Sequence, residues 1–76
     1  MKPGDLVIPV SGGLYMYDTV QPFLGIYISV LHEDQLGVTI DSCYSAIGVP
    51  YIQVLNTEAK IGWVRYERIK VISESR

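Results

Sequence analysis

Six short apolar runs, separated by turn residues, dominate the pattern of hydrophobic and polar positions along the chain. Most of these runs alternate apolar and polar residues with a period of two and are rich in Val, Ile and Tyr, as half-buried strands are. None of them carries an apolar stripe with helical spacing. The pattern therefore predicts an all-β protein whose strands come from Leu6–Ile8, Gly25–Val30, Gly37–Ile40, Tyr51–Leu55, Gly62–Val64 and Ile69–Ile72.

The close spacing of these runs, with no helix between them, is typical of a sandwich or a barrel. Five or six strands are too few for two large sheets, and closing a sheet removes exposed edges, which are a liability for an apolar chain. We therefore expect the 76 residues to form a single domain, 1–76, folded as a small, partly open antiparallel barrel of five to six strands.

Two segments in the first half of the chain carry further expectations. The interval Ser11–Phe23 has no strand signal and predicts a long first loop, which in so small a domain is more often functional than not. The runs Leu24–Leu31 and Leu36–Ile40 flank the polar turn His32–Gln35. We expect these two runs to pair as the central hairpin, with Val38 and Ile40 facing the core.

The end of the chain predicts a strand, a tight turn and a closing strand. In the strand Ile61–Tyr66 the period of two places Trp63 and Val64 on opposite faces. If Val64 points into the core, Trp63 points outward. The segment Tyr66–Arg68 is expected to form a single 3₁₀ turn before the last strand.

The composition indicates an exposed apolar surface. Hydrophobic residues make up 49% of the chain and charged residues only 18%. A domain of this size has a high surface-to-volume ratio and cannot bury that much apolar surface in one core. Exposed apolar and aromatic surface usually marks an interface. The alternative is that the tyrosine rings lie half covered at the surface with their hydroxyls in water.

The sequence therefore favours a non-enzymatic protein–protein interaction or assembly module. It is expected to bind a protein partner or a second copy of itself, with a homo-oligomer as the expected form. Large aromatic side chains dominate the energetics of such interfaces. The candidate partner-binding residues are Tyr15, Tyr17, Tyr27, Trp63 and Tyr66, which Tyr51 could join and which Phe23 and Tyr44 would flank.

The charge of the chain leaves one alternative function open. The formal net charge is −2, whereas nucleic-acid-binding proteins usually present a basic face. A local cluster of cations nevertheless lies near the C-terminal end. The alternative is a nucleic-acid-associated accessory domain in which Arg65, Arg68 and Lys70 contact phosphates while Trp63 stacks on a base.

Catalysis and metal binding have little support in the sequence. Cys43 and His32 are the only soft metal ligands, too few for a structural zinc site. We expect no catalytic residue, metal, cofactor or small-molecule substrate. The N-terminus lacks the apolar segment of a signal peptide, and no run reaches the length of a membrane helix. The expected location is the cytoplasm or, for a viral protein, the host cytoplasm or the virion.

The order of several short motifs carries a family resemblance. The first motif is Gly4–Val7, and a long loop separates it from Gly25–Ile26. Gly62–Val64 then follows and precedes Ile69–Ile72. This layout resembles the SH3-like small β-barrel superfamily, in which a Gly-aromatic-Val strand, a one-turn 3₁₀ helix and a short closing strand commonly end the domain. The resemblance implies that fold over nearly the whole chain. The chain also resembles, in style rather than in motif, short uncharacterised barrel proteins of tailed bacteriophages, marine ones especially, which implies a viral origin.

One segment resembles a more specific motif. Gly13–Asp18 is similar to the Ala-Leu-Tyr-Asp-Tyr box of signalling SH3 domains, whose tyrosines line a groove for proline-rich peptides. This resemblance implies that Tyr15 and Tyr17 grip a polyproline helix. The motif order differs, since Gly4–Leu6 precedes the box here, and the Pro-x-Asn-Tyr closing motif is absent. The alternative is that the two tyrosines anchor the loop onto the barrel.

Overall fold

The computed structural model describes residues 2–20 and 26–74, which form one antiparallel sheet that curls into a partly open barrel. The order of the seven strands in the sheet is β3-β2-β6-β5-β4-β1-β7. The all-β prediction and the partly open barrel are confirmed. The strands are β1 (Leu6–Pro9), β2 (Leu14–Tyr17), β3 (Tyr27–Leu31), β4 (Gly37–Tyr44), β5 (Pro50–Leu55), β6 (Ile61–Arg65) and β7 (Ile69–Ser73), and the expected 3₁₀ turn spans Tyr66–Arg68 between β6 and β7.

The prediction of five to six strands is wrong, because the sheet has seven. The additional strand is β2, which lies inside the interval predicted to be a long loop without strands. Met16 of β2 is fully buried, whereas Tyr15 on its outer face is exposed. Since both faces of β2 carry large apolar or aromatic residues, no alternation is visible in the sequence. The last part of the predicted loop, residues 21–23, lies outside the described residues.

The predicted central hairpin is also wrong. β3 pairs with β2, and β4 pairs with β5 and β1, so the two runs on either side of the turn at His32–Gln35 belong to different parts of the sheet. The turn itself forms, with the N–H of Gln35 donating to the carbonyl of His32 at 3.0 Å. The local pattern thus indicates the turn but not the pairing, which is decided by contacts with distant segments. The predicted strand residues Leu24 and Gly25 lie outside the described residues.

The core of the barrel is built from aliphatic side chains that come from every strand except β4. Its buried members are Val7, Met16, Leu31, Ile52, Val54, Val64 and Ile69. On β4 the buried residues are Gly37 and Thr39, whereas Val38 and Ile40 are half-buried, so the predicted inward face of this strand is wrong.

Two features, one steric and one polar, explain why Gly37 and Thr39 of β4, rather than Val38 and Ile40, are buried. A Cβ atom at Gly37 would collide with the side chain of Val54, so this position on the inner face has no room for a side chain. Two residues further along, the hydroxyl of Thr39 accepts a hydrogen bond from the N–H of Asp5 at 3.0 Å and donates to the carbonyl of Lys2. The N–H of Thr39 also donates to the carbonyl of Asp5 at 2.9 Å. These bonds fasten the N-terminal segment to β4 and keep the hydroxyl of Thr39 inside the barrel.

Buried Asn56 ties the turn after β5 to strand β3. Its side-chain amide donates to the hydroxyl of Ser29 at 3.0 Å and to the carbonyl of Val30 at 3.3 Å. Its side-chain oxygen accepts from the N–H groups of Glu58 at 3.0 Å and Lys60 at 2.9 Å. One side chain therefore shapes its own turn and also holds an edge strand that is remote in sequence.

We expect Asn56→Ala to lower the free energy of unfolding by about 2–3 kcal/mol, because the buried hydroxyl of Ser29 and three part-buried backbone groups lose their hydrogen bonds to Asn56. Guanidinium denaturation followed by circular dichroism measures this loss. Thr57→Ala, at an exposed position of the same turn, is the matched control and should stay within about 0.5 kcal/mol of the unmodified chain. Equal losses in the two variants would contradict a stabilising role of Asn56.

Candidate functional site

The outer face of strands β2, β6 and β5 carries the residues of the candidate site. Val64 is buried in the core, and Trp63 beside it is half-buried on the opposite face, as the period of two predicts. Cross-strand pairing places Trp63 next to Tyr17 of β2 on one side and Gln53 of β5 on the other. One step along β6, Arg65 is paired with Tyr51. The sheet thus holds aromatic and cationic side chains in adjacent rows.

Two adjoining cavities lie on this side of the molecule. The first has a volume of about 380 Å³ and is lined by Gly13, Leu14, Tyr15, Tyr17, Tyr51, Trp63, Val64, Arg65 and Arg68. The second has a volume of about 340 Å³ and is lined by Ser42, Cys43, Tyr44, Pro50, Tyr51, Ile52 and Tyr66. Tyr51 lines both cavities, so they share part of one wall. We call the two cavities together the aromatic groove.

The structure brings most of the predicted partner-binding residues together. Tyr15, Tyr17 and Trp63 line the first cavity, and Tyr66 lines the second. Tyr27 lines neither cavity but packs edge-on against Tyr15, with ring centroids 5.6 Å apart and an interplanar angle of 69°. It therefore supports the outer wall of the groove.

The central position of Tyr51 goes beyond what the sequence indicates. Its side chain is almost completely buried and yet forms part of the wall of both cavities. Its partner across the strand pair β5–β6 is Arg65, and its partner across β4–β5 is Cys43. Only the register of these two pairs reveals the position, and no local sequence signal encodes that register. Tyr44, expected as a flanking residue, lines the second cavity.

The cations of the alternative nucleic-acid patch are divided by the fold. Arg65 and Arg68 line the first cavity together with Trp63. Lys70 is exposed on β7, where it pairs with Ile8, and it lines neither cavity. The predicted patch therefore has two of its three cations beside the tryptophan.

The charge of Arg65 is stabilised by its neighbours. Its pKa is raised first by a side-chain hydrogen bond to Tyr51 and then by Glu67. The guanidinium lies 3.4 Å from the carboxylate of Glu67, and both side chains are largely exposed. Arg65 is therefore cationic at neutral pH.

The remaining candidate chemistry is not assembled into a site. Cys43 is a free, half-buried cysteine of β4, and His32 is exposed after β3. Across residues 2–20 and 26–74, no three His, Cys, Asp or Glu side chains lie close enough to hold a metal ion. Within the same residues, no helix has the length and apolar character needed to cross a membrane.

Comparisons with known proteins give no indication of function, so the groove is the main evidence for it. No protein-family model matches the chain, and neither the curated proteins nor the solved structures contain a significant match. The resemblances to SH3-like barrels and to bacteriophage proteins therefore stay predictions.

The groove depends on the close approach of β2 to β6 at Gly62. A Cβ atom at this position would lie 2.7 Å from the Cβ of Met16 and 3.3 Å from the backbone carbonyl oxygen of Tyr17. We expect Gly62→Ala to push β2 away, to lower the free energy of unfolding by about 1–3 kcal/mol, and to shift the fluorescence of Trp63, the only tryptophan.

Gly13→Ala is the matched control for this substitution. Its nearest neighbour would be a side-chain methyl group of Val30 at 3.3 Å, which can yield more easily than backbone. Denaturation followed by tryptophan emission compares the two variants. A Gly62→Ala protein as stable as the control, with unchanged emission, would show that this approach does not position the groove.

Proposed function

We propose that this protein is a protein-interaction module that binds an extended segment of a partner protein along the aromatic groove. One observation carries the proposal: all six tyrosines and the one tryptophan of the chain line the groove or pack against its wall. Aromatic side chains supply large contact areas at low entropic cost and are enriched at the centres of interfaces. Their collection on one side of a small domain supports a binding role.

The exposure of these rings supports the same conclusion. Tyr44 is 74% exposed and Tyr15 64% exposed, and Tyr27 and Tyr66 are exposed as well. Burying this remaining apolar surface against another molecule would lower the free energy, because it removes apolar area from water. The two cavities have the volumes expected of binding sites, and most of their lining residues belong to paired strands. An extended segment could run from the first cavity over Tyr51 into the second.

We propose further that the fold is an SH3-like barrel. The pairing of β1 with β7 and the 3₁₀ turn before β7 support this assignment, as does the β2–β3 pair whose Tyr15 borders the groove. In signalling SH3 domains, aromatic ridges grip peptides in the polyproline conformation. An extended peptide of that shape would suit a groove lined by aromatic side chains.

Two other occupants fit the groove less well. A nucleic acid would find two cations in the lining, on a chain with a net charge of −2, whereas phosphate contacts supply most of the affinity for nucleic acids. A second copy would have to present a convex surface that enters the groove while its own groove receives the first copy. A flexible segment of another protein meets neither obstacle.

The proposal is tested by selecting a random dodecapeptide display library on the immobilised chain. We expect peptides that bind with micromolar dissociation constants, and we expect Tyr15→Ala and Trp63→Ala each to weaken this binding by at least about 10-fold, as loss of an aromatic anchor does. Fluorescence polarisation of labelled peptides measures the affinities. Because Tyr15 is mostly exposed, its substitution tests binding even if Trp63→Ala weakens folding.

Ile72→Ala is the matched control, since Ile72 is an exposed apolar residue of β7 that lines neither cavity. This variant should bind the selected peptides within about 2-fold of the unmodified chain. A selection that yields no peptide sensitive to Tyr15 would overturn the proposal. So would a stable dimer in sedimentation that dissociates on Tyr15→Ala, because the occupant would then be a second copy.

A further inference from the structure

We infer that the segment bound by the groove carries an Asp or Glu side chain, which is held by Arg65 and Arg68 at the first cavity. This inference rests on the proposed function and adds the chemistry of the partner. Its basis is the uneven distribution of charge along the groove. The ligand class is an extended acidic peptide rather than a neutral proline-rich one.

The two cavities differ in charge. Arg65 and Arg68 are both lining residues of the first cavity, and no Asp or Glu is among the residues that line it. The second cavity has no charged residue in its lining, which consists of small, apolar and aromatic residues. A carboxylate in the first cavity would be close to two cationic residues, whereas the lining itself offers a cation no carboxylate. The charge of the lining therefore favours a ligand whose acidic residue lies in the first cavity.

The two arginines are available to a ligand. Among residues 2–20 and 26–74, Arg68 makes no ion pair, and its side chain is exposed. Arg65 has one carboxylate partner, Glu67, at 3.4 Å, which is longer than the 2.7–2.9 Å of a strong charge-assisted hydrogen bond. Both groups of that pair are about half exposed or more, so the pair is weak and can be exchanged for a ligand carboxylate.

The neighbouring aromatic side chains strengthen this arrangement. A planar guanidinium binds a carboxylate through two parallel hydrogen bonds and can at the same time stack on an aromatic ring. Tyr15, Tyr17 and Trp63 line the cavity that contains the two guanidinium groups. A ligand whose acidic residue adjoins an apolar residue could contact both the arginines and the aromatic rings. Glu67 is the internal competitor of such a ligand because it occupies part of the hydrogen-bonding capacity of Arg65.

The test uses the dodecapeptides selected on the unmodified chain, each synthesised again with its Asp or Glu residues replaced by Asn or Gln. We expect the acidic peptides to bind at least about 10-fold more tightly than their amide forms, the range for a hydrogen bond to a charged group. Arg68→Gln should reduce this difference, because only Arg65 then remains to hold the carboxylate. Lys70→Gln removes the same charge from an exposed position outside the groove, and it should leave the difference intact.

Glu67→Gln is expected to act in the opposite direction. Removing the competitor should tighten binding of the acidic peptides by about 2–5-fold, the value of an exposed ion pair, and leave the amide peptides unchanged. Glu58→Gln, in the exposed turn after β5, is the control for the change in net charge. The backbone carbonyl of Arg68 accepts from the N–H of Val10, and none of these side-chain substitutions removes that bond. Thermal melts should therefore be close to that of the unmodified chain.

The outcomes separate this inference from the proposed function. Selected peptides that bind equally well in acidic and amide form would overturn the inference and leave the groove as a peptide site. A selection without peptides would overturn both. If labelled single-stranded oligothymidine binds more tightly than the acidic peptides and loses affinity on Arg68→Gln, the arginines form a phosphate site, which would also overturn the inference.

Discussion

The approach of β2 to β6 at Gly62 is the contact on which the rest of the molecule depends. Since position 62 has no side chain, the backbone of β2 can lie against β6, with Met16 entering the core and Tyr17 emerging beside Trp63. This contact joins the β2–β3 pair to the meander formed by β4, β5 and β6. Without it β2 would lose its pairing with β6, and the groove would lose one wall. Folding and formation of the binding surface are thus consequences of the same backbone contact.

The division between aliphatic and aromatic residues follows from the size of the domain. The core cluster contains Val, Leu, Ile and Met side chains but no aromatic ring. A narrow barrel accommodates short branched side chains at high packing density, whereas a tyrosine placed inside would need a buried partner for its hydroxyl. Most of the tyrosines instead lie at the surface, where Tyr15 and Tyr44 are mostly exposed to water. The aromatic part of the hydrophobic excess is therefore concentrated at the groove and available for binding.

How much of this arrangement the sequence reveals depends on the range of the interactions involved. Local alternation was sufficient for the all-β class, for the strand that contains Val64, and for the outward position of Trp63. It failed for β2, whose two faces are similarly apolar, and for the pairing of β3, which is held by Asn56 from a distant turn. It also failed for β4, where the buried hydroxyl of Thr39 replaces the expected aliphatic side chain. The same limit applies to the site: aromatic residues can be chosen by type, but only the register of β5 against β6 places Tyr51 between the cavities.

The position of Arg65 and Arg68 on a chain of negative net charge bears on how the groove would discriminate among ligands. At physiological ionic strength, charges more than about 8 Å apart are largely screened, so the net charge has little effect on a ligand already seated in the cavity. It does act during approach, where it disfavours polyanions that could bind without shape complementarity. Two cations beside aromatic rings, on an otherwise acidic protein, therefore favour a ligand with one well-placed carboxylate over a highly charged polymer. Glu67 contributes to the same selectivity, because only a carboxylate with better geometry than its own can displace it from Arg65.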